Sequence, residues 1–125
     1  MKRIMALSEE KKMFDNVLLK IKKDNYLELK IFSDSLNLID DFVTHHTELV
    51  ILDLDLLNEK IIKLINTLKT IKKNVQIILI LSKDKMPICT KALSLGVLTY
   101  FLKPISPTNM SNLILSALKT KNITN

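Results

Sequence analysis

Glycine is nearly missing from this chain. Gly96 is the only one in 125 residues, and the three prolines, Pro87, Pro104 and Pro107, all fall in the last third. Turns must therefore be made by Asn, Asp, Ser and charged residues, which leaves element boundaries soft. With Cys89 as the single cysteine, no intramolecular disulfide can form. No run resembles a secretory signal, and no apolar stretch reaches the roughly 20 residues a membrane span requires. A reducing, cytoplasmic location and no membrane partner are expected. Tryptophan is absent, aromatic residues make up 5%, and Arg3 is the only arginine behind a net charge of +6. Scattered lysine without interleaved aromatics is a solvated surface, so direct nucleic-acid binding is not expected. No glycine-rich loop follows the first apolar run, which argues against a nucleotide or flavin domain. His45 and His46 lack any zinc-ligand spacing, and no Ser-His-Asp arrangement is evident.

What the chain does have is 47% hydrophobic residues, enough for one ordinary domain with a continuous core. Short apolar runs alternate with helical periodicity. Arg3 to Leu7, Leu27 to Phe32, Leu49 to Asp53, Val75 to Leu81 and Val97 to Leu102 read as five strands. Between them, Met13, Phe14, Val17, Leu18 and Ile21 recur at helical spacing, as do Leu36, Ile39, Phe42 and Val43 after a cap at Ser33 or Asp34. Ile61, Ile62, Leu64, Ile65, Leu68 and Ile71 form a third helical face, and a short helix from about Pro87 to Leu95 ends at Gly96. The last helix begins near Ser106 and Pro107 and buries Met110, Leu113, Ile114, Ala117 and Leu118. Residues 1–119 form one domain on this reading, and Thr120 to Asn125 a polar tail or the start of a linker.

Strands alternating with helices imply a doubly wound parallel α/β sheet covered on both faces, with its functional crevice beyond the carboxyl ends of the strands. The residues there are Ser8, Glu9 and Glu10 after the first strand, Asp53 and Asp55 after the third, Ser82 after the fourth, and Lys103 before Pro104 after the fifth. Gathered carboxylates suit Mg²⁺, and a lysine with a serine hydroxyl suits phosphoryl oxygens. Each residue also has a plainer role. Asp53 can cap the next turn, Glu9 and Glu10 can favour the positive end of a helix, Ser82 can cap, and Tyr100 can be ordinary core.

This layout resembles the receiver domain of bacterial two-component response regulators over residues 2–119. Asp53 in Glu48-Leu-Val-Ile-Leu-Asp53 matches the phosphate-accepting aspartate, Ser82 the hydroxyl residue, Lys103-Pro104 the Lys-Pro pair, and Tyr100 the switch aromatic. The resemblance implies a flavodoxin-like five-stranded sheet of order 2-1-3-4-5. It also implies Mg²⁺ held by Glu9, Asp53 and Asp55, and a phosphoryl group received from a sensor histidine kinase or phosphotransfer protein. An attached output domain or partner protein, and a homodimer through the last helix, are partners the fold allows. Two departures stand out. Ser8-Glu9 replaces the family's pair of adjacent acids, and Leu54-Asp55-Leu56-Leu57-Asn58 replaces a Pro-Gly turn. They support a second reading, a pseudo-receiver that binds proteins without being phosphorylated.

Overall fold

In the computed structural model, residues 2–21 and 27–123 are described, the side chains of 119–123 excepted. The five apolar runs form β1 (Lys2–Leu7), β2 (Leu27–Phe32), β3 (Leu49–Asp53), β4 (Gln76–Leu81) and β5 (Thr99–Leu102). All pair in parallel in the order β2-β1-β3-β4-β5. The expected sheet order is therefore observed.

Alternation along the strands sorts the apolar side chains into two cores. Met5, Leu7, Val50, Leu52, Ile77 and Leu79 face α2 (Ser35–Thr44), α3 (Leu54–Leu57), α4 (Lys60–Ile71) and α5 (Met86–Leu93). Ile4, Ala6, Leu49, Ile51, Ile78 and Ile80 face α1 (Lys11–Ile21) and α6 (Pro107–Ile123). The central strand β3 is buried at every residue, which is what a strand covered on both faces requires. Among the described residues, no helix is long and apolar enough to cross a membrane.

Local chemistry sets the helix ends. Asp34, one of the two expected caps, accepts the Asn37 amide at the start of α2. Ser106 does the same for Asn109 before α6, with Pro107 at the first helical position. Gly96 takes φ +86° in the turn after α5, a conformation only glycine adopts without strain. The helix before it stops at Leu93, and β5 begins at Thr99, two residues later than the apolar run suggests. Leu98 is exposed, and its amide already bonds to the Ile77 carbonyl, so the chain is joining the sheet edge there before regular pairing starts. α6 runs on to Ile123, through residues that composition alone marks as a polar tail; residues 124–125 of that tail lie outside the described set. Leu113, expected in the core, is only partly buried.

A second charged cluster ties the amino-terminal half of the sheet to α2. Buried Asp41 pairs with Arg3 at 2.8 Å, Lys30 at 2.7 Å and His45 at 2.8 Å. The Lys30 hydrogen bond chiefly holds its carboxyl below the usual range, against burial, and the charges of Arg3, Lys30 and His45 add to the effect. A folded carboxyl that titrates below the unfolded one stabilises fully above about pH 4 and loses that contribution as the pH falls through the lower folded value. Replacement Asp41→Ala should cost about 2 kcal/mol in urea unfolding at neutral pH, because partly buried Arg3 then keeps only Glu28 at 2.6 Å and loses the more buried of its two carboxylates. The gap between variant and parent should narrow as the pH falls below about 4 and through the lower folded value, and a deficit that does not change with pH would show that packing, not charge, is responsible.

Candidate functional site

The carboxyl end of β3 delivers Asp53 into the crevice with only 2% of its surface exposed. Four hydrogen bonds saturate its carboxylate. The Asp55 amide donates to Oδ1 at 3.0 Å, the Ser8 hydroxyl to Oδ2 at 2.8 Å, and the Lys103 ammonium to both oxygens at 2.9 Å. The plain capping role and the site role thus coexist, since the Asp55 bond is the N-cap of α3.

Lys103 reaches Asp53 because β5 pairs with β4 and ends beside it, with the Lys103 amide bonded to the Leu81 carbonyl at 2.8 Å. The Lys103–Pro104 peptide bond is cis. Besides Asp53, the ammonium contacts Glu10 at 2.8 Å and Asp55 at 2.9 Å. Burial works against its charge, but hydrogen bonds to Glu10, Asp53 and Asp55 outweigh that and hold its pKa above the ordinary lysine value.

Asp55 joins the third strand to the fourth. Its carboxylate accepts the Ser82 hydroxyl at 2.6 Å and the Ser82 amide at 3.0 Å. Burial raises its pKa, yet the Ser82 hydroxyl, the Ser82 amide and Lys103 together bring it below the usual value. Ser82 makes no side-chain cap to the 3₁₀ turn at Lys83–Lys85 that follows it. Tyr100 is partly buried against the core on the α2–α5 face.

Asp53, Asp55 and Lys103 line one cleft of about 410 Å³, together with Glu9, Glu10 and Leu56. Ser82 touches this group through Asp55, while Tyr100 lies on β5 behind it. Glu9 is exposed at the cleft. Glu9, the expected Mg²⁺ ligand of this segment, lines the cleft beside Glu10, and Glu10 makes the ion pair to Lys103. Ser8 was read only as a lost charge, yet it is buried, donates to Asp53 and accepts the Glu10 amide at 3.0 Å. A hydroxyl that ends a strand of four buried residues was the available signal for that role.

Three carboxylates around one ammonium leave negative charge in excess, and hard oxygens of this kind suit Mg²⁺. Donor chemistry and charge therefore fit a divalent cation. Among the described residues, however, no three His, Cys, Asp or Glu side chains are grouped as a metal centre, and the three carboxylates meet on Lys103 instead.

A family model for the response regulator receiver domain matches residues 4–115. The chain belongs to that family. Among solved structures, a CheY-like receiver domain protein from Methanospirillum hungatei superposes with a TM-score of 0.83 at 16% identity, covering 100% of this chain and 99% of the other. A response regulator from Thermotoga maritima gives a TM-score of 0.83 at 14% identity over 95% and 98% of the two chains. A streptococcal protein, from a family of redox sensors evolved from two-component response regulators, gives 0.85 at 14% identity, with 99% of this chain covering 54% of that one. Identities this low speak for the fold alone. Among curated proteins none matches this receiver.

The receiver family's Pro-Gly turn has been replaced in an informative way. Asn58 closes α3 with φ 51° and ψ −133°, a conformation that favours glycine, and donates its amide to the Leu54 carbonyl at 2.7 Å. Asn58→Gly should therefore raise stability by about 0.5–1 kcal/mol, read as a higher thermal midpoint, and a lower midpoint would refute strain at this position. Replacement Lys103→Met leaves Glu10, Asp53 and Asp55 without their shared cation, with only the neutral donors of Ser8, Ser82 and the Asp55 amide remaining to the two aspartates. It should lower stability by about 2 kcal/mol at neutral pH, with the deficit shrinking toward about pH 4 as protonation relieves the repulsion. A deficit that does not change with pH would contradict this account.

Proposed function

We propose that this receiver accepts a phosphoryl group on Asp53 from a sensor histidine kinase or phosphotransfer protein and passes the change to an output surface. The observation that carries the reading is the bidentate contact of Lys103 with a buried Asp53 at the carboxyl end of the central strand. In an in-line transfer, an Asp53 oxygen forms a bond to phosphorus as the P–N bond of a phosphohistidine breaks, and the electron pair of that bond returns to the imidazole. Lys103 moves from two carboxylate oxygens to the transferred group, and the Ser82 hydroxyl is the second donor near it. Asp53 and Asp55, with Glu9 or Glu10, would hold Mg²⁺. When bound, that ion neutralises charge on the carboxylate and the incoming oxygens. Rearrangement of the Ser82 segment would reach Tyr100 through the packing beside β5, making Tyr100 the switch residue of this reading. The outcome is phosphoacceptor signalling, with no turnover of a substrate. A cytoplasmic location and control of transcription through an attached or separate output domain agree with this reading.

A second reading is favoured by one contact. The Ser8 hydroxyl fills the Asp53 oxygen that Lys103 leaves a lone pair on, so the carboxylate is satisfied without metal or phosphoryl group. A pseudo-receiver that acts through protein contacts alone would look like this.

Incubation with Mg²⁺ and acetyl phosphate separates the two. Intact mass spectrometry should show one added phosphoryl group that is labile at alkaline pH and absent from Asp53→Asn. Unchanged mass, under conditions that label another receiver in the same tube, would favour the pseudo-receiver. Ser8→Asp restores the second adjacent acid and should tighten Mg²⁺ binding by about tenfold in a titration, with the site still apart from any phosphodonor.

A further inference from the structure

A phosphoryl group on Asp53 needs donors for its oxygens, and in this chain those donors already have an acceptor. The Ser82 hydroxyl lies 2.6 Å from Asp55 Oδ2, the Ser82 amide 3.0 Å from Oδ1, and the Lys103 ammonium 2.9 Å from Oδ2. Two anionic oxygens thus meet a hydroxyl, an amide and an ammonium, and the hydroxyl and the ammonium are the two donors that the phosphoryl group of the proposed function would engage.

The placement of Asp55 is built into the chain. Leu54 and Leu57 are buried at 0% and 7%, anchoring α3 on the core, and the Asp55 amide is fixed on Asp53 Oδ1 at 3.0 Å. With its backbone held on both sides, the Asp55 side chain spans the gap from β3 to the start of the segment after β4. The Ser82 segment is bound from its other side as well, because the Lys85 amide donates to the Ser82 carbonyl at 2.9 Å.

We propose that the Asp55 carboxylate is a built-in occupant of the phosphoryl-oxygen site, holding Ser82 and Lys103 drawn in before any phosphoryl group arrives. This rests on the reading of Asp53 as phosphoacceptor. It adds a regulatory consequence: an incoming phosphoryl group must displace Asp55, against repulsion between two anions, before it can take over Ser82 and Lys103. Asp55 acts as a positioning residue. It lowers the rate of phosphoryl capture and shrinks the movement of the Ser82 segment that capture produces.

Two measurements on the full chain test this. Amide hydrogen exchange followed by NMR, without Mg²⁺ or phosphodonor, should find the Ser82 amide exchanging about tenfold faster or more in Asp55→Ala than in the parent. Labelling by acetyl phosphate, with Mg²⁺ raised to saturation for each protein because Asp55 is also a proposed holder of the metal, should be several-fold faster by intact mass in Asp55→Asn, which keeps the size of the side chain and removes its charge. Equal Ser82 protection in Asp55→Ala overturns the clamp. Slower labelling of Asp55→Asn overturns the competition, because Asp55 then assists capture. If the Asp55→Ala protein does not fold, the Ser82 amide of Asp55→Asn is measured instead, and unchanged protection together with unchanged labelling refutes the proposal. Labelling of no variant counts against Asp53 as acceptor and not against the clamp, which the exchange measurement decides independently.

Discussion

One ammonium among three carboxylates organises the working end of this molecule. Lys103 comes from the edge strand, Asp53 from the central strand, Asp55 from the turn that follows it and Glu10 from the segment after β1. Remove the cation and these segments bring together only like charges. Its pairing with Asp53 and Glu10 also spans the sheet from β5 to β1, so the crevice is closed electrostatically across strands that share no hydrogen bonds. The surrounding apolar core is what makes that arrangement specific, because carboxylates partly shielded from water must find partners or lose their charge.

The fold was legible because its two periods differ. Runs such as Leu49 to Leu52 and Ile77 to Leu81 are apolar throughout, as strands buried on both faces must be, and the helices repeat at a different spacing. β5 was the weakest case. As an edge strand with partly exposed residues it has no fully buried pattern, so its start could not be read from hydrophobicity. The extra turn of α3 was missed for a related reason: four residues carry no periodicity, and its cap is the site aspartate itself.

The site was legible as a set of positions and not as a set of contacts. Asp53, Asp55, Ser82 and Lys103 could be placed at strand ends from the sequence, because strand ends follow from the apolar runs. Which carboxylate would meet Lys103 depended on how the chain leaves β1. There the Ser8 hydroxyl accepts the Glu10 amide, and it is Glu10, exposed like Glu9, whose carboxylate reaches Lys103. Pairing of Asp55 with Ser82 joins residues 27 positions apart in the chain, just beyond the ends of two strands whose register only the folded sheet defines.

The division of the interior into two cores separates the side chains packed around the site from those packed behind the sheet. Tyr100, Leu54 and the helices beside Ser82 all pack on the α2–α5 face. The α1–α6 face is a separate cluster of Phe14, Val17, Ile21, Met110 and Ile114 behind the sheet. Close-packed β3 lies between them, and Tyr100 belongs to the first of these layers. On the proposed reading, α1 and α6 would form a keel, a frame of reference against which displacement of the opposite layer is expressed.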